Sequence, residues 1–253
     1  MSPAFRYSSF DNHGAGKTIC KGFSMEHLLS GMHQFRTRVF ADEREFFEKL
    51  AQGQSPSALF VTCSDSRVDP NLILQAGPGE LFSLRNAGNI VPPYGASNGG
   101  EGACVEYAVA ALGVRDIVVC GHTQCGAIKA LLQPTVMDDL PLVREWLGHA
   151  EATRRIVAEN YSNLSGNELL DIAIQEHVLM QLENLQTHPV VAARLQRGEL
   201  NLHAWVYHLE TGEILSYASD SETFEPLRSQ PVATKSPPRR AAGAVRKKKT
   251  GGT

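Results

Sequence analysis

The amino-acid sequence predicts an α/β fold: a central, mostly parallel β-sheet flanked by helices, with an N-terminal helical arm, a C-terminal antiparallel edge hairpin and a disordered basic tail. Three observations carry this expectation. Short apolar runs at 58–61, 80–84 and 117–120 alternate with stretches of helical period, the pattern of strands joined by helical crossovers. Two further runs, 202–208 and 213–217, alternate about Thr211 and Gly212, as the arms of a hairpin do. Beyond them, residues 226–253 carry eight Lys/Arg and no Asp or Glu.

Taken in order, residues 24–40 place Met25, Leu28, Leu29, Met32, Phe35 and Val39 at helical spacing behind Ser24, a good N-cap, and predict an amphipathic arm. A second helix over 42–51 presents Phe46, Phe47 and Leu50, and Gly53 to Ser57 break it. The run 58–61 then reads as a buried strand with Cys63 just past its end, and the run 117–120 puts His122 likewise just past a strand. Helices follow over 102–112, 126–132, 139–161 and 167–187 before the hairpin. Three segments result: a flexible 1–23, a folded domain over 24–225 and the tail 226–253.

Composition narrows the class. At 253 residues and 42% hydrophobic, the chain is long enough for one large core. The formal charge of −3 conceals an asymmetry, because the first 225 residues hold 16 basic against 27 acidic side chains, a net of −11. The tail is too poor in large apolar residues to fold alone, and its two readings are a solvated appendage and an electrostatic tether to an acidic protein partner. Five cysteines, at 20, 63, 104, 120 and 125, favour core or metal roles over a disulfide framework. No signal-like or membrane-length apolar run occurs, so the expectation is a cytoplasmic protein with no membrane insertion and no nucleic-acid partner.

The chemistry lies in two motifs about sixty residues apart. Cys63-Ser64-Asp65-Ser66-Arg67 is answered by Gly121-His122-Thr123-Gln124-Cys125. Two thiolates and one imidazole, Cys63, Cys125 and His122, form a soft ligand set suited to Zn2+, with a fourth position left open, as catalytic sites keep it. Asp65 adds an acid/base group beside the metal, and Arg67 stands where a guanidinium could hold that carboxylate. Cys120 is a rival ligand, since on a strand it shares a face with His122, but the paired motifs favour Cys63 and Cys125. Cys20, Cys104 and Cys120 otherwise read as buried small side chains. Trp146 and Trp205 read as packing residues, none of the other histidines is singled out, and Arg85 to Asn89 reads equally as a strand-to-loop corner and as a pocket wall.

These residues, with Arg85-Asn86-Ala87-Gly88-Asn89, Glu106-Tyr107-Ala108-Val109 and Gly-His-x-x-Cys-Gly in the same order, resemble the β-class carbonic anhydrases over about residues 25–220. Within that family, 137–158 and 200–216 look most like the cyanobacterial carboxysomal branch, so the resemblance adds carboxysome association as a second location. It implies zinc on Cys63, His122 and Cys125, with Asp65 a fourth ligand only in a closed state. It further implies attack of zinc-bound hydroxide on CO2 to give bicarbonate, Asp65 and Arg67 being the catalytic pair. Gln54, nine residues before Cys63, matches a glutamine that donates to a substrate oxygen. Phe82 and Ala87 match pocket-lining positions, and Tyr107 matches a tyrosine contributed across a subunit boundary, which implies a homodimer or larger assembly. The subgroup with a bicarbonate-closed site has a tryptophan shortly before the position of Gln54, where this chain has Leu50, Ala51 and Gln52, so an open site is expected. The competing readings are a non-catalytic assembly module with structural zinc and a CS2 or COS hydrolase on the same site.

Overall fold

A computed structural model describes residues 24–97 and 99–227. Cys20, the segment 1–23 and all but the first two residues of the basic tail lie outside them. Six strands form one sheet in the order β2-β1-β3-β4-β5-β6. They are β1 (Ala58–Cys63), β2 (Leu81–Asn86), β3 (Asp116–His122), β4 (Asn201–Tyr207), β5 (Ile214–Ala218) and β6 (Thr223–Pro226). The first four run parallel, while β5 and β6 are antiparallel to their neighbours. Two strands are longer than the apolar runs suggest, so Cys63 and His122 are the last residues of β1 and β3 rather than the first beyond them. Parallel pairing supplies the reason, because Thr62 and Cys63 continue the ladder against Cys120 and Asn86.

The helices are α1 (Met25–Gln34), α2 (Phe40–Asp42), α3 (Arg44–Leu50), α4 (Pro70–Leu74), α5 (Gly100–Glu106), α6 (Gly126–Leu132), α7 (Pro141–Leu147), α8 (Glu151–Asn160), α9 (Gly166–Gln186) and α10 (Pro189–Gln196). Ser24 caps α1, its hydroxyl accepting from the His27 amide at 3.4 Å. The helix expected over 139–161 is two, because Pro141 opens α7 and a 3-10 turn at Gly148–Ala150 separates it from α8. Two helices and one strand had no adequate sequence signal. Five-residue α4 is set by Asp69, whose side chain accepts from the amides of Asn71 and Leu72, and by Pro70 at its first position. α10 likewise starts on Pro189, and β6 is too short to show alternation.

Long α9 buries Leu170, Ala173, Ile174, His177, Val178, Gln181, Asn184 and Leu185, a stripe spaced three and four residues apart that packs on β3 and β4. Its approach explains Gly121: a Cβ there would sit 2.8 Å from Val178 Cγ2 and 3.1 Å from Ile174 Cγ2. One sheet face carries Leu59, Val61, Ile117 and Val119 into the main core, and the other carries Phe60, Val118 and Cys120 into a smaller cluster with Leu74, Trp205 and Tyr207. The arm contrasts with both, for no residue of α1 is buried and Met25 and Met32 are 68% and 64% exposed. Among the described residues no helix is long and apolar enough to cross a membrane.

Candidate metal centre

The chain leaves β1 towards β2 on one side and reaches β3 on the other, so the sheet order reverses between β1 and β3. In parallel sheets the crevice beyond the strand ends at such a reversal is where ligands bind. Cys63 closes β1 there and His122 closes β3. Two residues later Gln124 takes a left-handed conformation (φ 56°), and this turn brings Cys125, at the head of α6, back beside the other two. All three side chains are buried, and their ligand atoms lie within 4.8 Å of one another, with Cys63 Sγ and Cys125 Sγ 4.0 Å apart.

The imidazole identifies the cluster as a metal site. His122 Nδ1 stands 2.9 Å from the Thr123 carbonyl, which only accepts, so Nδ1 carries the proton and Nε2 presents a lone pair. That Nε2 is fully buried and has no hydrogen-bond partner. A buried acceptor without a donor is costly, whereas an imidazole oriented by a carbonyl behind it and facing two sulfurs is arranged as a metal ligand. The sulfurs agree: a hydrogen bond from Cys125 pulls the Cys63 thiol well below its ordinary pKa against the effect of burial, and the same bond together with burial pushes Cys125 up.

Asp65 turns away from the sulfurs and onto Arg67. Its Oδ1 accepts from Arg67 Nε at 2.9 Å and from the Arg67 amide at 3.0 Å, and its Oδ2 accepts from Nη2 at 2.7 Å. This fork holds the Asp65 carboxyl far below the usual carboxylate range, although burial opposes it. Oδ2 also lies 3.8 Å from His122 Nε2, so the carboxylate borders the ligand cluster without entering it. Arg67 Nη2 donates as well to the Gln124 carbonyl at 3.2 Å, tying the two motifs together.

Several supporting residues escape a reading of motifs. Arg85 staples the first loop, donating to the carbonyls of Cys63, Asp65 and Val68 at 3.1, 3.0 and 2.7 Å. Thr123 is held by Glu210, whose carboxylate accepts its hydroxyl at 2.7 Å, and by the Leu209 amide at 3.0 Å. Trp146 and His177, which read as packing and unremarked residues, donate to the carbonyls of Ala87 and Gly88. The Arg85 to Asn89 run gave a partial signal; nothing in local spacing marks Glu210, Trp146 or His177. Cys120 is excluded from the cluster, buried beside Phe60 and Val118 with its thiol pushed up to about 12 by desolvation.

The remaining candidates fall at two ends of the sheet. Ala87 follows Asn86, the register partner of Cys63, and so sits at the ligand end. Phe82 pairs with Leu59, four residues before Cys63, or about 13 Å back along the strand. Tyr107 joins Phe82, with ring centroids 5.9 Å apart. Gln54 is exposed in the loop before Ala58, which is itself about 17 Å from Cys63 along β1.

A mostly parallel sheet with a Cys-His-Cys cluster at its reversal point and an Asp-Arg pair alongside has the makings of a metal-dependent enzyme. Comparison with known proteins gives the family. Residues 58–214 match the carbonic anhydrase family. A carbonic anhydrase of Synechocystis is 55% identical over 194 residues, covering 76% of this chain and 71% of that protein. The structure of the beta-carbonic anhydrase CcaA superposes with a TM-score of 0.79 at 53% identity, over 80% of this chain and 98% of that one. A chain from the crystal structures of two tetrameric beta-carbonic anhydrases of Sordaria macrospora is also similar, with a TM-score of 0.67 and 29% identity over 76% of this chain and 95% of that one. The chain belongs to the carbonic anhydrase family, in its β class, and its reaction is the reversible hydration of CO2 to bicarbonate and a proton.

Proposed function

We propose that the metal is Zn2+, held by Cys63, His122 and Cys125, and that Asp65 and Arg67 are the catalytic pair of CO2 hydration. The observation that carries this reading is the orphaned His122 Nε2 facing two buried sulfurs beside an ionised, arginine-forked carboxylate. Two Zn–S bonds of about 2.3 Å at a tetrahedral angle place their sulfurs roughly 3.8 Å apart, close to the 4.0 Å found. When bound, zinc lowers the pKa of water to about 7 and so supplies a nucleophile at neutral pH. Asp65, ionised and able only to accept, fixes the direction of the nucleophile's O–H and leaves a lone pair for the carbon of CO2. Arg67 holds the carboxylate off the metal, which keeps the site open.

The pocket is completed by a second copy. Gln54, Phe82 and Tyr107 stand at the end of the sheet opposite the ligands, so within one chain they cannot wall the same cavity. A two-fold dimer that apposes the ligand end of one subunit to the far end of the other brings both sets together twice. The arm supports this arrangement, because α1 and the residues after it expose Leu28, Leu29, Met32 and Phe35, an apolar face of the kind that marks protein contacts. Ala87 belongs to the ligand side of that shared cavity. A reducing cytoplasmic setting suits Cys63, Cys104, Cys120 and Cys125, all free thiols.

Stopped-flow CO2 hydration with zinc analysis tests the assignment. Cys125→Ser is expected to lose zinc and activity together, whereas Asp65→Ala keeps about one zinc per chain and loses about 10²–10³ in kcat/KM. Full activity in zinc-replete Asp65→Ala protein would refute the role of Asp65.

A further inference from the structure

The Cys63 sulfur accepts an amide hydrogen bond from Gly88 N–H at 3.4 Å. That N–H shares its peptide group with the Ala87 carbonyl, and the Ala87 carbonyl accepts from the indole Nε1–H of Trp146 at 2.8 Å. Indole, peptide and sulfur thus form one line of hydrogen bonds, from Trp146 N–H through Ala87 C=O and Gly88 N–H to Cys63. A donor on a peptide carbonyl polarises the amide and strengthens the bond that its N–H makes. The next carbonyl, of Gly88, accepts from His177 Nε2 at 2.7 Å. His177 Nδ1 faces Thr153 Oγ1 at 3.2 Å and Gln181 Nε2 at 3.4 Å, which fits a neutral ring protonated on Nε2, and full burial keeps it neutral. Gly88 itself has φ 81°, and a Cβ on it would stand 3.1 Å from Ala127 Cβ. The peptide is therefore held on both sides by donors and from α6 by contact.

We propose that Trp146 is a positioning residue of the metal centre: through the Ala87–Gly88 peptide it aims and strengthens the amide hydrogen bond on Cys63, and so moderates the charge this sulfur donates to the metal. His177 locks the following carbonyl so that the peptide cannot turn. Neither side chain meets substrate or metal. Both come from helices that pack behind the loop, and the reason for an indole at 146 becomes its N–H, not its bulk. The inference rests on the assignment of Cys63 as a ligand.

Replacement of the bound metal by Co2+ gives a direct readout, because cobalt thiolates absorb through sulfur-to-metal charge transfer, whose energy falls as the sulfur becomes a stronger donor. Trp146→Phe keeps the aromatic packing and removes the N–H. Its charge-transfer band is expected at longer wavelength than that of the wild type, with zinc released to a chromogenic chelator up to about tenfold faster. His177→Leu is expected to move the band in the same direction, while His177→Gln, which keeps an N–H donor, leaves it in place. A purely structural role would lower the melting temperature without moving the band. Unshifted bands in folded Trp146→Phe and His177→Leu proteins would overturn the proposal and leave the metal site standing. A cobalt-loaded wild type with no sulfur charge-transfer band would overturn both.

Discussion

The two ends of the central sheet differ in how far one chain completes them. At the ends of β1 and β3 the ligand residues are braced by their own chain: Arg85 braces the Cys63 loop, the Thr123 carbonyl orients His122 and Gly88 donates to Cys63, while His122 Nε2, which faces the two sulfurs, is buried without a partner. At the opposite end Gln54 and Tyr107 are exposed, and the arm exposes the apolar side chains of Leu28, Leu29 and Met32. On the proposed assignment, the contrast makes the metal a property of the subunit and the substrate pocket a property of the pair. Ligands must be fixed to a few tenths of an ångström, which a strand end and a tight turn do well, whereas apolar walls tolerate assembly from two rigid bodies.

The comparison breaks most visibly at the arm. Charges introduced on its apolar face, in Leu29→Asp with Met32→Asp, are expected to yield monomers in ultracentrifugation that keep their zinc yet lose about a hundredfold in kcat/KM, since a desolvated charge opposes burial strongly. Active monomers would dissolve the distinction between the two ends.

A second effect belongs to the ligand end alone. Burial depresses the pKa of His177 to about 4. Because this lies below the ordinary value of about 6.5, the unfolded chain takes up its proton first. The contribution of His177 to stability is therefore full above about pH 6.5 and is lost as pH falls towards 4, by roughly 3 kcal/mol over that interval. Urea unfolding between those pH values is expected to show a shallower acid decline for His177→Gln than for the wild type, and parallel declines would contradict it.

The smallest effect expected is at Gly121. Ala there must push against Val178 and Ile174 of α9, at a cost of about 1–3 kcal/mol and a fall of several degrees in melting temperature. A change there displaces His122 but not Tyr107, so zinc affinity should weaken while dimerisation is unaltered.

How much of this was legible in the sequence follows the same division. The candidate ligands and the Asp65–Arg67 pair could be read because they fall in two five-residue motifs at strand ends, so local spacing carries much of the geometry. The parallel strands were legible as apolar runs, but their last residues were not, since Cys63 and His122 are placed in the ladder by partners in Asn86 and Tyr207 that no local pattern announces. The break at Gly148–Ala150 was hidden because Leu142, Val143, Trp146 and Leu147 keep a helical period up to it. Trp146 and His177 were illegible as site residues for a related reason: each acts on the Ala87–Gly88 backbone across 59 and 89 residues of chain, through a donor that serves packing equally well. Gln54, Phe82 and Tyr107 were found through resemblance, while their placement away from the ligands needed the sheet register.

Subunit complementation tests the division of the site most directly. One chain carries Cys125→Ser and retains its far end; the other retains its ligands and carries Phe82→Ala with Tyr107→Ala. Each homodimer is expected to be nearly inactive in CO2 hydration. Dissociated, mixed in equal amounts and reassociated, half of the dimers pair unlike chains and each of these holds one intact site, so activity should recover to about a quarter of the wild type. Activity no higher than the average of the two parents, in dimers shown to have exchanged, would contradict a pocket shared between subunits.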